Sequence, residues 1–404
     1  MPVKTIADLH VEQGMPVLVR VDFNVPLRAD GGVLDDRRIR MAVPTIKCIL
    51  DAGGIAVCMS HLGRPAGTGP EVGYSLSPVA DVLQTLLDAA HSVHFVAGAC
   101  RGPIAQAAID SASPGDLVLL DNLRFEAGEK AGDAAFAADL AALGGAYVND
   151  AFGTAHRDDA SMVGVPAAMQ SKSRVAGLLL EKELRFLGEA IASPKRPFVA
   201  VLGGAKVSDK LGAIHNLLDR VDSIIVGGGM AYTFLAAQGK AIGESLVERD
   251  MVPRAAELLA KAEQAGKAIF LPIDHVCAQR IDTHAPRQVC SGDVPDGWMG
   301  LDIGPATIEA FGRVLHTAGT VVWNGPMGVF ETPPFDVGTQ AVAQVLQEAT
   351  EQRAVTIVGG GETAAAVEAA GVAAQLSHVS TGGGASLRML EGVPFASVAC
   401  LEKA

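Results

Sequence analysis

Arginines recur where short apolar runs in the first half of the chain give way to polar residues. Asp22-Phe23-Asn24 follows the run 16–21, and Ser60-His61-Leu62-Gly63-Arg64-Pro65 follows the run 54–59. Asp121-Asn122-Leu123-Arg124 follows the run 116–120, while Asn149-Asp150 follows 145–148 and leads on to His156-Arg157. Arg37-Arg38-Ile39-Arg40 comes after Asp35-Asp36 at the start of a predicted helix. A guanidinium fork matches two oxygens of a phosphate or carboxylate. One such arginine usually serves a salt bridge, but Arg38, Arg64, Arg124 and Arg157 together predict a pocket for a small polyanion. His61 and His156 lie among them, either as further donors or as packing residues. This half is itself net acidic, so the cations are a local feature.

The second half carries glycines at the same places. Gly203-Gly204-Ala205-Lys206, Gly227-Gly228-Gly229, Asn324-Gly325-Pro326, Gly359-Gly360-Gly361-Glu362-Thr363 and Gly382-Gly383-Gly384 each follow an apolar run. Glycine lets backbone amides approach an anion, and the next helix N-terminus favours negative charge. One such turn also serves tight connections without a ligand; five predict a cradle for a nucleotide polyphosphate. Neither GxxxxGK[ST] nor GxGxxG occurs, so the ordinary mononucleotide and dinucleotide fingerprints are absent. Lys206 and Lys210 are four apart, which predicts one face of the first turns of a helix. Cations there oppose the helix dipole, a cost that a bound anion offsets; the alternative is pairing with Asp209 and Asp219 or solvation. Glu331 is suited to a ribose or is a surface carboxylate, and Glu362 caps a helix or holds a metal on a phosphate. The ten histidines form no HExxH-type cluster.

Elements that would position these residues are legible in the hydropathy. Apolar runs at 16–21, 54–59, 93–97, 116–120 and 145–148, then at 198–202, 223–226, 268–271, 320–323, 354–358 and 376–380, alternate with helix-length segments. Runs apolar on both faces predict central strands of parallel sheets. Their grouping predicts an α/β protein of two doubly wound, mostly parallel-sheet, Rossmann-like domains. Residues 174–192 predict a helix with Leu180, Leu184, Leu187 and Ile191 on one stripe and Val175, Leu178, Leu179 and Phe186 on another side, ended by Ser193-Pro194. Two apolar sides suit a connector between domains, with an ordinary surface helix as the alternative.

Composition bounds the function. At 404 residues, 49% apolar and 19% charged, the chain is long enough for two cores and too apolar to be disordered. A formal charge of −13 argues against nucleic acid and membrane surfaces as partners. Six scattered cysteines without CxxC spacing predict reduced thiols. The start of the chain has no signal-peptide h-region, so a cytoplasmic enzyme is expected.

The motifs VLVRVDFNVPL (17–27), RRIR (37–40), SHLGRP (60–65), DNLRF (121–125), NDAFGTAHR (149–157), LGGAKVSDK (202–210), VGGGMA (226–231), GWMGLDIGP (297–305), WNGPMGVFE (323–331), GGGET (359–363) and STGGGAS (380–386) occur in order along nearly the whole chain. Together they closely resemble the phosphoglycerate kinase family. The resemblance implies reversible phosphoryl transfer between 1,3-bisphosphoglycerate and Mg-ADP, giving 3-phosphoglycerate and Mg-ATP, by a monomer whose domains close about a hinge. It implies an acid-substrate domain over 1–173, an interdomain helix over 174–192, a nucleotide domain over 193–385 and a tail over 386–404 returning to the first domain. Asp22, Phe23, Asn24, Arg38, His61, Leu62, Gly63, Arg64, Arg124 and Arg157 would hold the acid substrate. Gly204, Ala205, Lys206, Lys210, Gly228, Gly300, Leu301, Asn324, Pro326, Glu331, Gly360, Gly361, Glu362 and Thr363 would hold the nucleotide, with Gly300 and Leu301 at the adenine and Glu331 at the ribose. Arg38, Lys206, Gly361 and Gly384 would act on the group in flight, with Gly383 beside Gly384. The family usually has Asp where this chain has Glu362, so a metal role for Glu362 keeps the carboxylate but lengthens its arm. Two rivals are an NAD-dependent dehydrogenase, disfavoured by the missing GxGxxG, and a two-lobed anion-binding protein without chemistry.

Overall fold

The structure, a computed structural model, describes residues 3–404, with the backbone alone at 189 and 190. The chain forms two compact units: the chain up to Leu184, rejoined by Pro394–Ala404, and Arg185–Val393.

In the first unit the strands are β1 (Pro16–Arg20), β2 (Ile55–Met59), β3 (Val93–Val96), β4 (Leu117–Leu120), β5 (Ala146–Asn149) and β6 (Arg174–Ala176). They form one parallel sheet in the order β3-β4-β2-β1-β5-β6. Strands β2, β4 and β5 are buried throughout, whereas the edge strand β3 is partly exposed. That is the pattern expected of a sheet covered by helices on both faces. Arg20 is level with Met59 on one side and Asn149 on the other. The register therefore delivers the residues after β1, β2 and β5 to the same sheet edge.

The second unit contains β7 (Phe198–Leu202), β8 (Ser223–Val226), β9 (Ala268–Phe270), β10 (Asp274–Ala278), β11 (Arg287–Ser291), β12 (Met299–Ile303), β13 (Thr320–Asn324), β14 (Val355–Gly359) and β15 (His378–Val379). Six of these form a second parallel sheet, β15-β14-β13-β7-β8-β9. Asn324 is level with Leu202 and with Gly359. Chain order runs outward from β7 in one direction and from β13 in the other, so the crevice beyond β7 and β13 is a topological switch point. Strands β10, β11 and β12 make a small antiparallel sheet, β11-β10-β12, that the hydropathy does not announce. Arg287, Gln288, Val289 and Ser291 of β11 are exposed, so no apolar run marks it.

The helix predicted over 174–192 begins later, at Leu178, because Arg174–Ala176 pairs with Tyr147–Asn149 as β6. Gly177 separates the two elements, and a Cβ there would meet the Asp150 carboxylate at 2.4 Å. Asp150 Oδ1 accepts from the amides of Leu179 and Leu180 at 2.8 and 3.1 Å, and Thr45 Oγ1 accepts from Leu178 at 2.9 Å. These bonds satisfy the amides that a helix start leaves free. Leu180 and Leu187 are fully buried, Ile191 is nearly so, and Leu178 is exposed. The C-terminal segment closes onto the first unit through Lys4 and Glu402, paired at 2.7 Å, and through Ser397 Oγ donating to Ala155 O at 2.7 Å.

Candidate active site

In the first unit, the loop after β1 lies against the start of the helix Arg37–Asp51. Arg38 is the second residue of that helix, where a cation opposes the dipole. Its Nη1 donates to Asp22 Oδ2 at 2.9 Å and to Asn24 O at 3.2 Å. Asn24 Oδ1 in turn accepts from Gly63 N at 2.8 Å, tying the loops after β1 and β2 together. The β2 loop is held from below by Asn122, whose Oδ1 accepts from Leu62 N and whose Nδ2 donates to Leu62 O at 2.7 Å. Arg124 is buried and donates from Nη1 to Gly63 O at 2.9 Å, while its Nε has no partner among the described residues.

His61 stands at the centre of this cluster, with 1% of its surface exposed. Burial pushes its pKa well below the ordinary value, and the charges of Arg20, Arg124, Arg157 and Arg38 push it the same way. Arg124 and Arg157 also repel one another, which together with burial lowers the Arg124 pKa. Asp22, 2.9 Å from Arg38 Nη1, and Asp159, 3.7 Å from Arg124 Nη2, offset part of this positive charge. Arg64 is exposed and engages none of the described residues, so no contact joins it to the cluster. Phe23 is fully buried in the core and its amide donates to Ser60 Oγ at 2.8 Å, so it supports the pocket from beneath. Leu62 is likewise buried, with its amide taken by Asn122.

Sequence reasoning missed Arg20, read as part of an apolar strand. It is fully buried, and its Nη2 lies 3.3 Å from His61 Nδ1. Glu129 was missed too, and it is also fully buried. The available signal was an arginine inside an otherwise apolar parallel strand, since a buried charge needs a partner.

In the second unit, the glycine turns pack backbone against backbone. A Cβ on Gly203 would meet Pro326 O at 2.1 Å, and one on Gly325, at φ 100°, would meet Gly203 O at 2.2 Å. The loops after β7, β8 and β13 are thereby pressed together: Gly204 N donates to Pro326 O at 3.0 Å, and Gly228 N to Met327 O at 3.0 Å. They open into a cavity of about 450 Å³ lined by Gly204, Ala205, Gly228, Gly300, Leu301, Pro326, Glu331 and Glu362 among others. Tyr232, Leu246, Met299 and Val329 give it apolar walls. Gly300 faces Tyr232 so closely that a Cβ would meet the phenol oxygen at 1.8 Å.

The spacing of Lys206 and Lys210 predicts a shared helix face, but the helix starts at Leu211. Residues 203–210 form a loop whose amides bond neighbouring loops, so Lys206 is exposed in it and Lys210 sits at the helix cap. Lys210 Nζ donates to Asn324 Oδ1, and partial burial lowers its pKa against the pull of Glu362 and Asp209. Neither lysine forms the alternative pair with Asp219, which is engaged by Lys261 at 3.4 Å. Asn324 also approaches Gly360, and Thr363 Oγ1 accepts from Gly325 N at 2.7 Å, so the β13 and β14 turns are joined. Gly361 and Gly384 open the helices Gly361–Ala369 and Gly384–Leu390; Gly360 and Gly383 before them have positive φ, and a Cβ on Gly361 or Gly383 would meet open space. Asp302, another residue the sequence did not mark, lines the cavity; burial raises its carboxyl to about 7 while Gly338 N and Ile303 N donate to it.

Glu362, exposed in the first turn of its helix, makes no cap bond and stands on the cavity wall. Among the described residues no group of three or more His, Cys, Asp or Glu could hold a metal by itself. One carboxylate beside a phosphate cradle fits Mg²⁺ carried by a nucleotide, because that ion keeps water and phosphate oxygens as most of its ligands. Among the described residues no helix is long and apolar enough to cross a membrane.

Two parallel sheets, one followed by arginine-bearing loops and the other by glycine turns with lysines, place the chain among the two-domain α/β proteins. A family model for phosphoglycerate kinase matches residues 6–393. The chain is 52% identical over 402 residues to the phosphoglycerate kinase of Chloroflexus aurantiacus, covering 99% of each. It is 51% identical over 407 residues to that of Rhodopirellula baltica, covering 100% of each. Its fold matches the structure of phosphoglycerate kinase from Coxiella burnetii with a TM-score of 0.88 at 38% identity, covering 99% of this chain and 98% of that one. The chain belongs to the phosphoglycerate kinase family and is a phosphotransferase.

Proposed function

We propose that the chain transfers a phosphoryl group reversibly between 1,3-bisphosphoglycerate and ADP, giving 3-phosphoglycerate and ATP. The observation that carries this reading beyond the family is the set of guanidinium groups, Arg38, Arg124 and Arg157, acting on one buried His61. In the ATP-consuming direction the nucleophile is the carboxylate of 3-phosphoglycerate, already ionised near neutral pH, so no general base is required. Its oxygen attacks the γ-phosphorus as the bond to the ADP oxygen breaks. Catalysis then consists of positioning and charge stabilisation.

Asp22, Asn24, His61, Arg64, Arg124 and Arg157 bind and orient the acid. Arg38 on one side and Lys206 on the other stabilise the group in flight. Lys210, Asn324, Gly360, Gly361 and Thr363 hold the nucleotide phosphates, Gly383 and Gly384 present amides to the transferring group, and Gly300, Leu301 and Glu331 receive the nucleoside. Glu362 would hold Mg²⁺ through the nucleotide; when bound, that ion offsets charge on the phosphate oxygens. Half-sites built on separate units react only when closed over both ligands, and closure also keeps water from the acyl phosphate. The helix Leu178–Ala192 and the C-terminal tail are the hinge elements in this reading. A cytoplasmic monomer acting on small molecules, without nucleic acid or membrane, completes it.

The test is a coupled assay in which ATP and 3-phosphoglycerate drive NADH oxidation through glyceraldehyde-phosphate dehydrogenase. Magnesium-dependent turnover is expected. Heat protection by the ligands without turnover would instead indicate a binding protein.

A further inference from the structure

Behind the acid-substrate pocket lies a buried chain of polar contacts that the proposed chemistry does not use. Arg20, Ser161 and Glu129 have no exposed surface. Ser161 Oγ donates to Glu129 Oε1 at 2.5 Å, and Ser161 N donates to Glu129 Oε2 at 2.9 Å, so both carboxylate oxygens are taken by one residue. Arg20 Nε donates to Ser161 Oγ at 2.8 Å, Nη1 donates to Val21 O, and Nη2 lies 3.9 Å from Glu129 Oε1. The serine itself is fixed by Tyr147, whose hydroxyl donates to Ser161 O at 2.9 Å. A buried guanidinium without a carboxylate would be strongly disfavoured, which accounts for Glu129 lying so deep.

The remaining contact of Arg20 carries the consequence. Its Nη2 lies 3.3 Å from His61 Nδ1. A guanidinium has only donors, so Nδ1 must be the acceptor, and the ring's single proton must then reside on Nε2. Nε2 is buried and has no hydrogen-bond partner among the described residues.

We propose that Glu129 is a positioning residue for the acid-substrate pocket: through Ser161 it fixes Arg20, and Arg20 fixes His61 as the Nε2–H tautomer, which offers that hydrogen to an oxyanion of the substrate. The proposal rests on the reading of this pocket as the acid-substrate site. A neutral donor complements the surrounding arginines, because it binds an anionic oxygen without adding a further like charge beside Arg38, Arg124 and Arg157. It also binds only when the ring is turned and protonated correctly, which point charges do not demand.

Long-range ¹H–¹⁵N correlation spectra of the histidine-labelled protein at pH 7.5, with His61 assigned through His61→Gln, test this directly. The wild-type protein should show a pyridine-type Nδ1 and a pyrrole-type Nε2, and saturating 3-phosphoglycerate should shift Nε2. Glu129→Gln should convert the pattern to a tautomer mixture and raise KM for 3-phosphoglycerate about 10-fold with KM for ATP unchanged, as expected when a charged hydrogen-bond network loses its anchor. An Nδ1–H or imidazolium pattern in the wild-type protein overturns the proposal whether or not any variant folds. A folded Glu129→Gln protein that keeps the wild-type His61 pattern also overturns it. If the wild-type pattern is as expected but 3-phosphoglycerate neither shifts Nε2 nor is turned over, the acid-substrate reading fails while the tautomer relay stands.

Discussion

Arg38 Nη1 lies 2.9 Å from Asp22 Oδ2, so the cation at the start of the first long helix is held by the loop that leaves the central strand of its sheet. The pair joins two demands. The helix start disfavours a cation, and the nearby carboxylate restores the balance. Asp22 has only 9% of its side chain exposed and Arg38 has 34%, so the guanidinium keeps an open side toward solvent while one nitrogen is anchored. An anchored but accessible guanidinium is preorganised for charge that develops on a transferring group.

Arg38→Ala should therefore lower kcat by at least ~100-fold, the usual cost of removing one preorganised donor. KM for ATP should move little, because the proposed function gives Arg38 to the acid side. Steady-state kinetics in the coupled assay check both numbers, and a kcat within a few-fold of wild type would remove Arg38 from the transfer step.

The two lysines should separate. Lys206 is exposed in its loop, whereas Lys210 is anchored on Asn324 at the β13 turn. Lys206→Ala should lower kcat by orders of magnitude with ADP affinity nearly intact. Lys210→Ala should weaken ADP binding about 10-fold or more, the loss expected for one charge-assisted contact. Titration calorimetry beside turnover distinguishes these outcomes.

Gly300→Ala tests the apolar end of the cavity. A methyl there would overlap Tyr232, whose hydroxyl is 3.2 Å from His275 Nδ1 and whose ring is buried, so the phenol cannot simply swing away. Overpacking of this kind costs about 1–3 kcal/mol. The variant should lose that much in urea unfolding and show a raised KM for ATP, with KM for 3-phosphoglycerate unchanged.

Both sheets were legible because central parallel strands are covered on both faces and must be apolar throughout, as at Ile55–Met59 and Phe198–Leu202. The positions of the candidate residues that follow them were legible for the same reason: once a strand is placed, its exit is placed. What hydropathy could not show has a physical reason in each case. Strand β11 presents Arg287, Gln288 and Val289 to solvent, so nothing sets it apart from a loop. Strand β6 runs into the next helix without a change in apolarity, and only the Asp150 carboxylate under Gly177 marks the join. Lys206 was misplaced onto a helix because a four-residue spacing does not reveal that the amides of its loop are already engaged by neighbouring turns. Arg20 and Glu129 were hidden because they meet through Ser161, which is 141 residues from one and 32 from the other.

Asp150 supplies a prediction in pH. Burial raises its carboxyl to about 7 against the pull of hydrogen bonds from Thr45, Leu180 and Leu179; Oδ1 accepts from Leu179 N and Leu180 N, and Oδ2 has no hydrogen-bond partner among the described residues. The folded state thus holds a proton on Asp150 that the unfolded chain releases near the ordinary carboxylate value of about 4. Between those values the folded state binds more protons, so stability from this group falls as pH rises, by up to about 1.4 kcal/mol per pH unit. Asp150→Asn keeps an acceptor for the helix amides and abolishes the titration. Its stability relative to wild type should therefore improve steadily from pH 4 to pH 7 and level off above, as measured by urea unfolding at each pH. A difference that stays flat across that range would mean that Asp150 is ionised in the folded protein, and that the start of the helix Leu178–Ala192 is capped by a carboxylate whose charge the surrounding dipoles fully sustain.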